Sequence, residues 1–392
     1  MNGEILQLPG EGGSVIVVHR PDSPTTSVSA TYTLGFGQDP THAPGVAHLY
    51  EHLYLATLRA QMTAPLVAHA QTHADTMDVS ATVLADADRA LLTALTNAPR
   101  LLAEGRVDDD TRVRECRAID VELSEWFGNP LLIAGHKLAA LATRRPQPAR
   151  FDDCRIGSTP SISVTDLRAH AALRAALFPE RVVIVGPRPA EEWQHLTQEV
   201  RSPDTAPAPA DACPGWAGLG SRGDVPGAAS RVFIGIPLQL STPDRAEAVQ
   251  LTAELLMHER GPLAGIGHRL GVRFRGGSLI PTAGCAVIVG SWTPENARQR
   301  EAIGVAVRQY AERDLSMFVA AQAITMPERR RAAAATSATL ATAVDGWQAG
   351  CGIDPTAARA PSVDEINHTM WAGWDRSVLV GATSNRCGPF QD

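Results

Sequence analysis

The chain has 392 residues, 44% of them hydrophobic and 20% charged, the balance of an ordinary globular protein able to bury a sizeable core in two or three domains. A formal net charge of −7 and the lack of a Lys/Arg-rich block argue against nucleic acid as a partner. No apolar run reaches the roughly 18–20 residues of a membrane span, so no membrane partner is expected.

The opening "MNGEILQLPGEGG" has neither a basic n-region nor an apolar h-region, which argues against a signal peptide and for a cytoplasmic location. Two alternating stretches, 13–20 ("GSVIVVHR") and 25–37 ("TTSVSATYTLGFG"), are predicted strands. Segment 44–63 changes to helical spacing behind Pro44 and Gly45. Residues 76–86 alternate again as a strand. Residues 87–104 are helical with an expected break near Pro99, and 109–126 form a second long helix with Asp at its start. "RVVIVGP" at 181–187 is a short buried strand. Six cysteines, at 116, 154, 213, 285, 351 and 387, are scattered without a CxxC pair and read as reduced, buried thiols.

Residues 198–230 are rich in Pro, Gly, Ala and Ser, a composition suited to a linker. The order then begins again: a strand at 231–240, a helix at 243–259, a strand at 283–292 and a helix at 294–313. "RSVLVGATSN" (376–385) echoes "RVVIVGPRPA" (181–190), so each half closes on a short apolar strand ending in Val-Gly. This points to a duplicated α+β unit of roughly 190 residues.

Chemistry concentrates in "GVAHLYEHLYLAT" (45–57). His48 and His52 are i and i+4 on one helix face, and Glu51 lies beside them. Two imidazoles on one face suit a metal ion, and a neighbouring carboxylate suits a general base. A chain of this length carries HxxEH by chance about one time in a hundred, so the pentapeptide alone also fits an ordinary histidine pair. A catalytic zinc needs a third protein ligand. On the helix at 109–126, Glu115 and Glu122 are two turns apart, so either is a candidate. Glu122 stands among apolar residues, where a free carboxylate is costly unless paired or ligated. Glu125 shows that incidental acids also occur on this helix.

"GVAHLYEHL" resembles the inverted zinc motif of the pitrilysin family, the inverzincins, which includes insulin-degrading enzyme and the mitochondrial processing peptidase. Upstream, 14–40 is similar to the family's opening strand pair and turn. Downstream, His69-Ala70-Gln71-Thr72-His73-Ala74-Asp75 resembles its Asn-Ala-x-Thr-x-x-Asp segment, and "RECRAIDVEL" its Glu-x6-Glu helix. The likeness covers residues 3–200 well and the rest in outline. The gap from His52 to Glu122 is slightly short for the family, which suggests a trimmed loop in 57–68 or 99–110.

The resemblance implies an α+β fold of two tandem homologous α/β-sandwich domains, each an antiparallel-rich sheet with helices packed on it, together half of a clam-shell. A zinc-binding catalytic domain at 1–200, a linker at 201–230 and a second domain at 231–392 follow. His48, His52 and Glu122 then hold Zn2+, Glu51 is the base, and Glu115 orients a ligand from behind. The implied activity is a zinc endopeptidase acting on unfolded peptides or a precursor's leader. The strand at 76–84 is a candidate edge for an extended peptide.

Two departures stand out. His69 occupies the family's Asn position. In the second half, Gly267 and Phe274 stand where active members carry a substrate-contacting Arg and Tyr, with His268 and Arg273 nearby but off register. One half-molecule implies pairing, here expected to be a heterodimer with a paralogous subunit that keeps the Arg/Tyr pair, or alternatively a homodimer. The competing expectation is a non-proteolytic or weakly active partner subunit.

Overall fold

The structure, a computed structural model, describes residues 4–8, 14–36, 39–73, 76–128, 138, 161–189, 191–193, 231–239, 243–259, 261–282, 285–310, 363–374 and 377–380. They fall into two compact α+β units. The predicted linker at 201–230 lies outside the described residues.

In the first unit, β1 (Glu4–Leu8), β2 (Ser14–His19), β3 (Thr25–Tyr32), β4 (Val67–Thr72), β5 (Met77–Leu84) and β6 (Arg181–Gly186) form one sheet in the order β1-β2-β6-β3-β5-β4. The β2–β6 pair is parallel and the others are antiparallel. The apolar run of β6 is central, with a neighbour on each side, as an unbroken Val/Ile strand should be. In β5, Met77, Val79, Ala81 and Val83 are buried and the residues between them less so, the period of a strand with one core face.

The sequence reading placed a peptide-accepting edge at 76–84. That assignment is corrected by the sheet: β5 is interior, paired with β3 from Thr25↔Leu84 to Tyr32↔Met77 and with β4 from Val67↔Thr82 to Thr72↔Met77. Both of its hydrogen-bonding edges are occupied. The outer strand on this side is β4.

Helix α1 (Val46–Gln61) buries Val46, Leu49, Tyr50, Leu53, Tyr54 and Leu58 on a helical repeat and packs against β4 and α2 (Asp88–Ala103). Helix α2 runs straight through Pro99, and the expected break does not occur. Proline has no N–H, so the Leu95 carbonyl four residues earlier lacks its helical donor. The Tyr54 hydroxyl of α1 donates to that carbonyl at 2.9 Å. Having spent its proton there, Tyr54 accepts from the Tyr32 hydroxyl at 3.0 Å. A tertiary hydrogen bond thus satisfies the carbonyl that the proline leaves without its helical donor. Helix α3 (Asp109–Gly128) follows, then α4 (Val164–Ala171) and α5 (Arg174–Leu177). The connections 62–66 and 104–108 are both short.

One ion pair ties β6 to α2. Asp88, the first residue of α2, is 1% exposed, and Arg188 binds both its oxygens at 2.8 and 2.9 Å. The guanidinium also donates to Glu192 at 2.5 Å and lies 5.7 Å from the Trp193 ring centre. Nearby, His170 of α4 is buried edge-on to Tyr50, and burial pushes its pKa down to about 4, so it stays neutral at ordinary pH.

In the second unit, β7 (Val232–Gln239), β8 (Arg273–Thr282), β9 (Cys285–Thr293) and β10 (Val378–Val380) form an antiparallel sheet in the order β10-β7-β9-β8. Helices α6 (Pro243–Met257), α7 (Pro262–Leu270), α8 (Ala297–Tyr310) and α9 (Val363–Trp374) accompany it. This strand order repeats β6-β3-β5-β4 of the first unit, again antiparallel throughout, with helix between first and second strands in both. The duplication expected from the two Val-Gly strand ends is therefore a repeat of topology. Helix α7 and strand β8, like strands β1 and β4, are not separated by sequence patterning. Among the described residues, no helix is long and apolar enough to cross a membrane. Cys116 is a buried free thiol.

Candidate metal centre

Helix α1 starts behind Gly45, whose φ of 90° lets the chain turn sharply into the helix. The first turn of a helix carries unpaired N–H groups. Two of these groups near the start of α1 are bound by one side chain: Asp39 accepts from Gly45 N–H at 2.6 Å and from Ala47 N–H at 2.9 Å. Burial pushes the Asp39 carboxyl up to about 7 against the pull of these two donors. His48 is the next residue, so the cap fixes the helix start beside it.

His48 and His52 then lie one turn apart, rings 4.9 Å between centres and edge to face. The Phe36 ring stands 6.0 Å from the His48 ring, also edge to face. Helix α3 buries Cys116, Ile119 and Leu123, which sets Glu115 and Glu122 along the line facing α1. One Glu122 oxygen lies 3.2 Å from His52 Nε2 and 3.5 Å from His48 Nε2. Glu115 lies 3.4 Å from His52 Nδ1. Glu51 is buried, and one of its oxygens accepts a 2.6 Å hydrogen bond from the Thr72 hydroxyl at the end of β4.

The structure thus brings His48, His52, Glu51, Glu115 and Glu122 together in one unit. Two of the positions that matter most were missed: Thr72 was quoted only as part of a motif, and Asp39 was given no role. An Asp six residues ahead of a helix-starting glycine was the available signal for Asp39.

The donor set fits a divalent zinc ion. His48, His52 and Glu122 each offer one ligand atom, all within 4.8 Å of one another. Two imidazoles and a carboxylate are a known catalytic zinc set. With a metal bound, the Glu115 carboxylate, 3.4 Å from His52 Nδ1, would hold that nitrogen as the donor and leave Nε2 for the metal in place of its hydrogen bond to Glu122. The charge balance agrees. Hydrogen bonds from His48 and His52 hold the Glu122 carboxyl well below the usual carboxylate range. Burial disfavours a charge on His52, yet Glu122, Glu51 and Glu115 outweigh it and raise its pKa. Three carboxylates around two imidazoles make a negative pocket that a cation would compensate.

A test follows from the register of α3. Glu122→Gln is expected to lower zinc affinity by at least the roughly 10- to 100-fold that changes behind a ligand already cost. Glu125→Gln, an exposed position on the same helix, is expected to leave it unchanged. Metal analysis after dialysis decides; loss of zinc from the Glu125 variant and not the Glu122 variant would show the register to be wrong.

Gly267 and Phe274 belong to the second unit. Gly267 is buried, and a Cβ there would lie 2.5 Å from the Val272 carbonyl oxygen. No side chain, arginine included, fits on this backbone. The Phe274 ring lies over Gly290 and 5.5 Å from the Trp292 ring centre, so it packs on the sheet.

No protein-family model matches the sequence, and no curated protein matches it. Solved structures share the fold. The peptidase M16 inactive domain from Pseudomonas fluorescens is 14% identical, with a TM-score of 0.67 covering 96% of this chain and 97% of that one. A protease from Helicobacter pylori is 12% identical, with a TM-score of 0.64 over 97% of this chain and 99% of that one. Pitrilysin is 15% identical, with a TM-score of 0.57 over 81% of this chain and 37% of its own. At these identities the likeness establishes the fold, which is that of the M16 peptidases.

Proposed function

We propose that this chain is a zinc metallopeptidase subunit of the pitrilysin type that hydrolyses extended, unfolded peptides or a leader segment. The observation that carries the reading is the meeting of His48, His52 and Glu122 at one point with buried Glu51 beside them. His48, His52 and Glu122 would hold the zinc ion. When bound, zinc polarises the scissile carbonyl and makes water acidic enough to act as a nucleophile near neutral pH.

The chain's own residues supply the rest. Glu51 takes a proton from the attacking water as the new C–O bond forms. It returns a proton to the amine nitrogen as the C–N bond breaks. Glu115 holds the His52 ring through Nδ1. An extended peptide adds to the outer edge of β4, which has no other strand partner among the described residues. Such pairing requires an unfolded segment, which sets the substrate class. His69 on β4 takes the place of the family's Asn toward the peptide backbone.

Positions 267 and 274 do not supply the Arg/Tyr pair, because Gly267 admits no side chain and Phe274 has no hydroxyl. A donor missing from an oxyanion site commonly costs roughly 3 kcal/mol. Two identical chains share the deficiency, so the favoured assembly is a heterodimer with a paralogous subunit that carries the pair. The fit to an inactive M16 domain favours a second reading, a weakly active or non-proteolytic partner subunit. The test is hydrolysis of a panel of unfolded peptides by zinc-saturated chain alone and with a paralogue encoded beside it. The proposal expects the paralogue to raise turnover on the order of 100-fold. Full turnover by the isolated chain removes the heterodimer, and no turnover in either arm favours the second reading.

A further inference from the structure

We infer that Thr72 is a positioning residue whose hydroxyl sets the Glu51 carboxylate and ties it to the strand along which a peptide would lie. Its catalytic part rests on the function proposed above; the placement of the carboxylate does not.

The argument starts with the period of β4. Val67, His69 and Gln71 are exposed, whereas Ala70 and Thr72 are buried. Alternation therefore turns Thr72 inward, and α1 packs against this strand. Thr72 is 2% exposed and Glu51 6%. A buried hydroxyl needs a partner, and a buried carboxylate needs donors. The two meet at 2.6 Å, the short length of a charge-assisted O–H···O bond. Valine would fill the same space and suit a strand as well, so packing alone gives no reason for a hydroxyl here.

The strand end that carries Thr72 is itself anchored. Thr72 pairs with Met77 of β5, which is fully buried. Next to it, His73 N–H donates to Thr76 O at 2.7 Å, and Phe36 N–H donates to His73 O at 3.0 Å. The Phe36 ring is the one that stands against His48. The end of β4 is thus bonded to the base on one side and braced against the first histidine on the other. A peptide pairing along β4 would order the strand that aims the base.

The experiment compares wild type, Thr72→Val, which replaces the hydroxyl with a methyl group, and Thr72→Ser, which keeps the hydroxyl. Crystal structures of the three are expected to show the Glu51 carboxylate leaving its rotamer in Thr72→Val and regaining it in Thr72→Ser. On peptide substrates, with the partner present and zinc content matched, Thr72→Val is expected to lower kcat on the order of 10- to 100-fold. KM should stay within about twofold, and Thr72→Ser should recover most of the rate. An unmoved carboxylate in Thr72→Val, or a wild-type kcat, overturns the inference. So does a loss of zinc in both variants, which would make Thr72 a structural residue. If zinc-loaded wild type hydrolyses nothing, the proposed function falls, and the crystal structures alone decide the role of Thr72.

Discussion

Glu51→Gln is expected to keep zinc at the wild-type stoichiometry and to lower peptide hydrolysis by on the order of 10²–10⁴-fold. Glu51 stands outside the donor group formed by His48, His52 and Glu122, so its replacement should leave the metal in place. Glutamine has the same shape, and its amide oxygen can still accept from the Thr72 hydroxyl now bound to Glu51 at 2.6 Å. Geometry is therefore preserved while the ability to take a proton is lost. Metal analysis and single-turnover peptide assays on the same preparation separate the two effects. Undiminished hydrolysis by zinc-loaded Glu51→Gln would remove Glu51 as the base, and loss of zinc would place it among the ligands instead.

This variant and Thr72→Val make different demands on one carboxylate. Removal of the proton acceptor should produce the larger loss, because no correctly placed base remains. Removal of the Thr72 donor leaves a base that is present but less well aimed. Equal losses in the two would mean that alignment is everything at this position; the reverse order would contradict both roles.

Parts of this site were legible in the sequence because they depend on local periodicity. The four-residue spacing of His48 and His52 puts them on one face of any helix, and the seven-residue spacing of Glu115 and Glu122 does the same on α3. What the two helices do to each other is tertiary. Pairing of Glu115 with Nδ1 and of Glu122 with Nε2 of one histidine depends on how α3 lies over α1. Strand order is tertiary too. Residues 76–84 have the alternation of a half-buried strand, a pattern common to edge and interior strands, and only the sheet shows β5 to be interior. Pro99 reads as a helix breaker because the Tyr54 hydroxyl that satisfies Leu95 comes from another helix. Thr72 carries a signal only through its place in the Asn-Ala-x-Thr-x-x-Asp likeness, which assigns it no partner; on its own, a threonine in a strand needs no further reason than β-propensity.

The Asp88–Arg188 pair is a similar case, joined across a hundred residues, and it supports the largest expected loss of stability. Arg188→Met leaves a carboxylate that is 1% exposed without its bidentate partner. Breaking a buried pair from one side costs roughly 3–5 kcal/mol, because the remaining charge has lost both water and partner. Two features set the expectation at the lower end, about 3 kcal/mol. Arg188 itself is 20% exposed, so part of the pair is already solvated. Asp88 also opens α2, where the helix N-terminus favours a negative charge. The measurable result is a lower melting temperature for the first unit, by roughly 6–12 °C for a unit of this size. Asp88→Asn in the same background should recover part of the loss, since an amide is far cheaper to bury than an unpaired carboxylate. A double-mutant cycle therefore distinguishes a true pair from two independent contacts. If Arg188→Met melts as wild type does, or the two substitutions simply add, the pair does not clamp β6 to α2.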